Sequence, residues 1–137
     1  MIVLCDLEGT LANSAWREPL IELSGWHTYH GQHMEDAPIQ RIVDFINVLA
    51  FKWDVVCITE RPVTYYQSTL RWLHQSKVTI SGLLMRPEDN WMPVPELKLL
   101  LAAPILAKLA FVVDDQDHVL ERFRAHNITT LHVGQPQ

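Results

Sequence analysis

The chain has 137 residues, of which 48% are hydrophobic and 20% charged, so it has too much apolar material for intrinsic disorder and enough for one folded domain over residues 1–137. Sixteen Asp and Glu against eleven Lys and Arg give a net charge of -5, which argues against tight binding to long DNA or RNA. Lys or Pro interrupts each apolar stretch before it reaches the ~20 residues of a membrane-spanning helix.

Short β-branched runs alternate with longer amphipathic stretches, which is typical of βαβ units around a parallel sheet. The predicted strands cover residues 1–7, 55–59, 83–85, 110–113 and 129–133. Helices are predicted from residue 39 with Pro38 as a first helical position, from residue 66, from residue 96 with a break at Pro104, and over 119–125. Residues 12–38 lack clear periodicity, and the tail 134–137 is predicted to be frayed. The pattern predicts a three-layer α/β sandwich with a five-stranded, mainly parallel sheet and a minimal cap.

The two cysteines, Cys5 and Cys57, lie inside apolar runs, which favours buried free thiols over a structural disulfide. The first apolar run has no basic flank of the kind that precedes a secretory signal. We therefore expect a cytoplasmic protein.

Residues that could take part in catalysis or ligand binding follow the predicted strands. Asp6 ends the first strand, Thr59 the second, and Asp114 and Asp115 the fourth, while Lys98 lies on the helix before the fourth. Ligands of open parallel sheets bind beyond the carboxyl ends of the strands. We therefore expect these five side chains to converge.

The motif Asp6-Leu7-Glu8-Gly9-Thr10, followed by Thr59, Lys98 and the late acidic pair, resembles the haloacid dehalogenase (HAD) superfamily. Phosphatases of that superfamily carry Asp-x-Asp-x-Thr after the first strand and the other groups in this order. The resemblance extends over nearly the whole chain to the phosphatase module of polynucleotide kinase-phosphatases. It implies a Rossmann-like HAD fold and a magnesium-dependent phosphatase.

On this resemblance Asp6 is the nucleophile and forms an aspartyl-phosphate, which divides one difficult step into two. Thr59 donates a hydrogen bond to a phosphoryl oxygen, and Lys98 balances the charge of the nucleophile and the phosphoryl group. Glu8 protonates the leaving alcohol and then activates water.

The resemblance also implies a Mg²⁺ site, since Mg²⁺ prefers oxygen ligands. The expected protein ligands are the Asp6 carboxylate, the Glu8 backbone carbonyl and the Asp115 carboxylate. Asp114 is expected to orient that set.

Two positions depart from the family pattern. Glu8 stands where an Asp is usual, and its extra methylene displaces the carboxyl by about 1 Å, an error that can cost roughly a hundredfold in rate. Glu60 stands where relatives usually have Gly, and it either repels a phosphate or points to solvent. The adjacent Arg61 is a candidate for substrate binding unless Glu60 holds it, and Arg86 is a weaker candidate.

Aromatic residues and histidines are concentrated before the second strand. His27, His30 and His33 recur every third residue, a spacing that fits no familiar zinc motif and favours an exposed or capping cluster. Trp26 is a candidate for stacking on a nucleobase. We expect the core or its rim to hold Trp16, Trp53 and Trp72.

The predicted substrate is a phosphomonoester, either a nucleotide or the 3'-phosphate end of an oligonucleotide. A minimal cap admits a large substrate, whereas the acidic composition disfavours a long phosphate backbone. One alternative is a nucleoside 5'-monophosphate or another small phosphoester. Another is a fold with weakened catalysis that serves as a binding or regulatory protein. No membrane partner is expected.

Overall fold

A computed structural model describes residues 1–134 and shows an α/β fold around a five-stranded sheet of order β5-β4-β1-β6-β7. The strands are β1 (Ile2–Asp6), β2 (Ala12–Asn13), β3 (Ala37–Pro38), β4 (Asp54–Pro62), β5 (Gly82–Arg86), β6 (Leu109–Asp114) and β7 (Thr130–His132). The α-helices are α1 (Pro19–Gly31), α2 (Gln40–Leu49), α3 (Tyr66–Gln75), α4 (Val94–Ala102) and α5 (Asp117–Arg124). All four pairings in the five-stranded sheet are parallel, so the predicted fold class is confirmed.

Strand β1 is apolar from Ile2 to Cys5 because it lies at the centre of the sheet and is covered on both faces. Successive side chains of a strand point to opposite faces. Val3 and Cys5 accordingly pack in one cluster with residues of α2 and α3, and Leu4 packs in the other with residues of α4 and α5. These two clusters form the core between the three layers.

Residues 12–38, which lack clear periodicity in the sequence, form regular structure. It contains α1 and the two short antiparallel strands β2 and β3. Pro38 lies in β3 instead of opening a helix, and α2 begins at Gln40, so that prediction is wrong. The buried guanidinium of Arg17 binds both carboxylate oxygens of Asp36 and the Tyr29 carbonyl. Long-range contacts of this kind, which no local pattern records, hold the segment in place.

Other boundaries agree more closely with the sequence. Helix α4 ends at Ala102, and a 3-10 helix containing Pro104 follows, which is the predicted break. Strand β4 runs three residues beyond the predicted end at Thr59. The free thiols of Cys5 and Cys57 are buried at paired positions of neighbouring strands. The predicted frayed tail lies, beyond Gly134, outside the described residues. No helix within residues 1–134 combines the length and apolarity needed to cross a bilayer.

Candidate active site

The parallel sheet brings the predicted site residues to one edge. Asp6 is the last residue of β1, which lies between β4, carrying Thr59, and β6, ending at Asp114. Lys98 on α4 reaches the same edge from one face. A cavity of about 540 Å³ opens there, lined among others by Asp6, Glu8, Glu60, Lys98 and Asp115.

Lys98 joins two of the acids. Its buried Nζ lies 2.6 Å from Asp6 Oδ1 and 2.8 Å from Asp114 Oδ2. Burial alone would lower the pKa of Lys98, but the two carboxylates outweigh it and raise the pKa well above its ordinary value. The other oxygen of Asp6, Oδ2, accepts a hydrogen bond from the Thr10 hydroxyl at 2.9 Å. The Asp6 carboxylate is therefore fixed, with an ammonium beside it.

The carboxylates of Asp6, Asp114 and Asp115 form a cluster that suits a divalent cation. One oxygen from each lies within 4.8 Å of the others, and the buried Asp115 Oδ1 has no hydrogen-bond partner among residues 1–134. Burial, with repulsion from Asp114, raises the pKa of Asp6 and of Asp115. Three acids share one ammonium, so a divalent ion with oxygen ligands would neutralise the cluster.

The acids differ in how they are occupied. Asp114 Oδ2 accepts a hydrogen bond from Lys98, and its Oδ1 accepts one from the Gln116 amide at 2.9 Å, so both oxygens of Asp114 already have a partner. Asp115 has the unpartnered oxygen. A ligating Asp115 and an orienting Asp114 stay predictions.

Gly9 allows the loop after β1 to approach Asp115. Its φ is +80°, which L side chains rarely adopt, and a Cβ there would overlap the Asp115 carboxylate. Both the conformation and the space require glycine.

The carboxylate of Glu8 lies outside the acidic cluster. It accepts hydrogen bonds from Thr59 Oγ1 at 3.0 and 2.8 Å and forms an ion pair of 2.9 Å with Arg61. Burial would raise the pKa of Glu8, but Arg61 and Thr59 lower it to about 2. Only its backbone carbonyl is left for the predicted metal role, and its side chain is ionised in this position.

Arg61 is enclosed by protein groups. It is 1% exposed and donates hydrogen bonds to Thr69 Oγ1 at 2.9 Å and His33 Nδ1 at 3.0 Å in addition to its pairing with Glu8. The Arg61 amide also donates to Thr59 Oγ1 at 3.0 Å. Arg61 is therefore held by Glu8 and not by Glu60, which was the alternative, and substrate binding by Arg61 stays a prediction.

Glu60 and Arg61 lie where the pairing of β4 with β5 shifts register, between Thr59 and Pro62. Bulges of this kind re-aim side chains and are common beside active sites. Glu60 lines the cavity, where burial, with repulsion from Glu8, raises its pKa. Glu60 is half-buried and lines the cavity in which phosphate is expected, so it does not simply point to bulk solvent.

The histidines are more buried than expected. His30 and His33 are 5% and 2% exposed, and burial lowers their pKa values to about 4 and about 3. His27 is hydrogen-bonded to the Tyr65 hydroxyl. The prediction of an exposed or capping cluster is wrong for the two buried rings. Within residues 1–134 none of the three belongs to the potential metal-ligand cluster.

The structure also shows where Arg86 and the tryptophans lie. Arg86 donates to backbone carbonyls, including that of Glu60, so it is placed as a structural residue. Trp72 is buried and Trp53 half-buried, while Trp16 and Trp26 are exposed. Roles for Thr10, Thr69 and His33 were missed. The motif Asp-x-x-Gly-Thr gave a signal for Thr10, but no local pattern marks the other two as partners of Arg61.

Solved structures share this fold. A chain in a Pnkp1/Rnl/Hen1 complex matches with a TM-score of 0.84 and 20% identity, over 99% of this chain and 46% of that one. A chain in a structure of the Pnkp1/Rnl/Hen1 RNA repair complex matches with a TM-score of 0.77 and 18% identity, over 97% of this chain and 42% of that one. A haloacid dehalogenase-like hydrolase from Streptococcus pneumoniae matches with a TM-score of 0.66 and 13% identity, over 96% of this chain and 83% of that one. At these identities the likeness shows a HAD-like fold alone.

The chain spans less than half the length of its two relatives from the Pnkp1/Rnl/Hen1 complexes. No curated protein matches the sequence. A family model described as the polynucleotide kinase PNKP phosphatase domain matches residues 1–137. The resemblance inferred from the motifs is thereby confirmed, and the chain belongs to the family of PNKP phosphatase domains, within the HAD-like hydrolases.

Proposed function

We propose that the protein is a magnesium-dependent phosphomonoester hydrolase that acts through an aspartyl-phosphate on Asp6. The observation that carries the proposal is the convergence of Asp6, Asp114 and Asp115 around the ammonium of Lys98 at the carboxyl edge of the sheet. A phosphomonoester dianion repels ordinary nucleophiles, so its hydrolysis needs a fixed nucleophile and positive charge in one place.

In the first step an oxygen of Asp6 attacks phosphorus in line with the leaving group. The bond from phosphorus to the ester oxygen breaks, and the leaving oxygen takes a proton from Glu8, which must first leave Arg61 and Thr59 and bind that proton. Lys98 stabilises the charge on Asp6 and on the phosphoryl oxygens. Thr59 donates a hydrogen bond to a phosphoryl oxygen once it is released from Glu8.

In the second step water attacks the phosphorus of the aspartyl-phosphate while Glu8 accepts its proton. The bond between phosphorus and Asp6 breaks, and inorganic phosphate leaves. The Asp6 and Asp115 carboxylates and the Glu8 carbonyl would hold Mg²⁺, with Asp114 orienting them. Bound there, the ion would supply positive charge against the phosphoryl oxygens.

The test is phosphate release from a panel of phosphomonoesters, with Mg²⁺ or with excess chelator, by the wild type and Asp6→Asn. Asp117→Asn, on the exposed start of α5, is the matched control. We expect Mg²⁺-dependent release by the wild type and the control and none by Asp6→Asn. Equal release by Asp6→Asn would show that Asp6 is not the nucleophile.

We infer that the substrate is a nucleotide or the 3'-phosphate end of an oligonucleotide. Support comes from the family, named for a polynucleotide kinase phosphatase domain, and from the RNA repair complex that contains a relative. The net charge of -5 favours a short end over a long backbone. Initial rates on 3'-phosphorylated oligonucleotides, nucleoside 3'-monophosphates and nucleoside 5'-monophosphates would distinguish these. A clear preference for 5'-monophosphates would favour the alternative.

A second candidate function is binding or regulation by a fold with weakened catalysis. The observation that favours it is the pairing of Glu8 with Arg61 and Thr59, which keeps the acid ionised and occupies the Thr59 hydroxyl. An ionised Glu8 has no proton for the leaving group. The variant Glu8→Asp separates the two candidates: a gain in phosphate release favours the enzyme, and no release by either protein favours binding or regulation.

A further inference from the structure

A second cavity, which we call the aromatic groove, adjoins the site that contains Asp6. It has a volume of about 470 Å³, within the usual range for small-ligand sites. Trp26 and His30 of α1, Tyr65, and Trp91 of the loop between β5 and α4 line it. Glu60 and Val94 line both the groove and the cavity over Asp6, so the two cavities are direct neighbours.

The two tryptophans of the groove are exposed at positions that the fold holds in place. Trp26 is 54% exposed, and its ring stacks on His30 with centroids 5.8 Å apart and an interplanar angle of 26°. Gly25, with φ of +84°, interrupts α1 immediately before it. A ring supported in this way keeps its orientation while much of its surface stays accessible.

Trp91 is 86% exposed, yet the backbone on both sides of it is tied down. Arg86 Nη1 donates to the carbonyls of Asn90 at 3.2 Å and Met92 at 2.8 Å, and its Nε donates to the Glu60 carbonyl at 2.9 Å. The Met92 amide donates to Asn90 Oδ1 at 3.0 Å. The loop is thus attached to β4 at the boundary of the two cavities. An exposed aromatic side chain on a fixed backbone is typical of a binding site.

We propose that the aromatic groove binds the nucleobase of the nucleotide whose phosphate lies at Asp6, stacked on Trp91 and Trp26. This rests on the proposed phosphatase function and specifies its substrate: a phosphomonoester that carries a flat aromatic base one sugar away from the phosphate. Glu60, at the junction, faces the sugar that joins the two.

The charges of the groove indicate a single nucleoside and not a longer strand. Among the described residues, Arg86 is the one Lys or Arg that lines it. Its Nη1 is bound by the loop carbonyls and its Nε by the Glu60 carbonyl. A groove that followed a phosphate backbone would need a series of basic residues. His30 Nδ1 is buried, so it is not accessible to the edge of a base, and the contribution of the His30 ring is to support stacking.

The test compares a phosphomonoester that carries a base, adenosine 3'-monophosphate, with one that has neither base nor ribose, glycerol 2-phosphate. KM and kcat are measured for the wild type, Trp91→Ala, Trp26→Ala and Phe51→Ala. Phe51 is 94% exposed beyond the end of α2, outside the groove, and serves as the control for loss of an exposed aromatic ring. Circular dichroism and thermal unfolding confirm that each variant is folded.

Loss of one stacking partner reduces the affinity for a base by about fivefold or more. We therefore expect the ratio of KM for adenosine 3'-monophosphate to KM for glycerol 2-phosphate to rise at least about fivefold in Trp91→Ala and Trp26→Ala, and to stay constant in Phe51→Ala. An unchanged ratio in both tryptophan variants would overturn the proposal.

A second measurement keeps the groove testable if the phosphatase function fails. Asp6→Asn is titrated with adenosine 3'-monophosphate and with ribose 3-phosphate by calorimetry, with and without Trp91→Ala. Binding of the nucleotide that exceeds that of the sugar phosphate and is lost with Trp91→Ala supports the groove even without turnover. Equal binding of both ligands would refute the groove, whereas turnover without base preference would leave only the phosphatase proposal standing.

Discussion

Glu8→Asp should raise the rate of phosphate release. Glu8 is held by Thr59 at 2.8 Å and by Arg61 at 2.9 Å. Removing one methylene withdraws the carboxyl by about 1 Å, which takes it out of hydrogen-bond range of both partners. The Thr59 hydroxyl is then free to bind a phosphoryl oxygen, and the acid is freed from the charge of Arg61.

The size of the gain follows from the pKa of Glu8. With a pKa of about 2 the acid carries a proton in about one molecule in 10⁵ at pH 7. An Asp with an ordinary pKa of about 3.9 carries it in about one in 10³. If protonation of the leaving group limits the rate, kcat should rise between about tenfold and a hundredfold. The cost is the loss of a buried partner for Arg61, about 1 to 3 kcal/mol of stability because Thr69 and His33 still bind its guanidinium.

The assay is steady-state phosphate release in Mg²⁺ at pH 7, with urea unfolding of the same proteins. Glu22→Asp, on the exposed surface of α1, is the matched control and should change neither quantity. An unchanged or lower kcat in a folded Glu8→Asp protein would refute the reasoning. If neither protein releases phosphate, the binding or regulatory function is favoured.

Three further outcomes are expected. Asp115→Asn removes the unpartnered oxygen, so the Mg²⁺-induced rise in Tm should shrink or vanish, whereas Asp117→Asn should keep it; an undiminished rise would place the ion elsewhere. Gly9→Ala, which forces a Cβ toward Asp115 at φ +80°, should weaken Mg²⁺ activation of phosphate release, and wild-type activation would show that the loop adapts. His33 has a pKa of about 3 when folded and about 6.5 when unfolded, so the unfolded state binds the proton first and stability falls as pH drops below about 6.5. Urea unfolding should show that the free energy of unfolding falls about 2 kcal/mol less between pH 7 and pH 5 in His33→Gln than in the wild type. Parallel pH profiles of the two proteins would contradict this.

The strand ends and their chemistry could be predicted from the sequence because both depend on local order. An apolar run that stops at Asp6, another that stops near Thr59 and a third that stops at Asp114 define parallel strands whose carboxyl ends share an edge. Proximity of these residues follows from the topology without knowledge of any side-chain rotamer.

The partners of Glu8 could not be predicted in this way. Its carboxylate meets residues 51 and 53 positions along the chain, and whether it turns toward them or toward Asp6 depends on the register shift in β4. The burial of His30 and His33 depends likewise on distant residues: His30 contacts Tyr65, and His33 is bonded to Ser68 of α3 and Arg61 of β4. The spacing of three residues between the histidines does not indicate which distant residues they contact.

The sequence by itself determined the α/β order, the family and the set of acids and lysine at the carboxyl edge, because periodicity and motif order are properties of the chain. Only the tertiary structure decided that Arg61 binds Glu8, that Asp115 keeps an unpartnered oxygen, and that Trp26 and Trp91 share one groove. Those arrangements depend on side-chain direction and on contacts between distant segments, which are fixed when the layers pack.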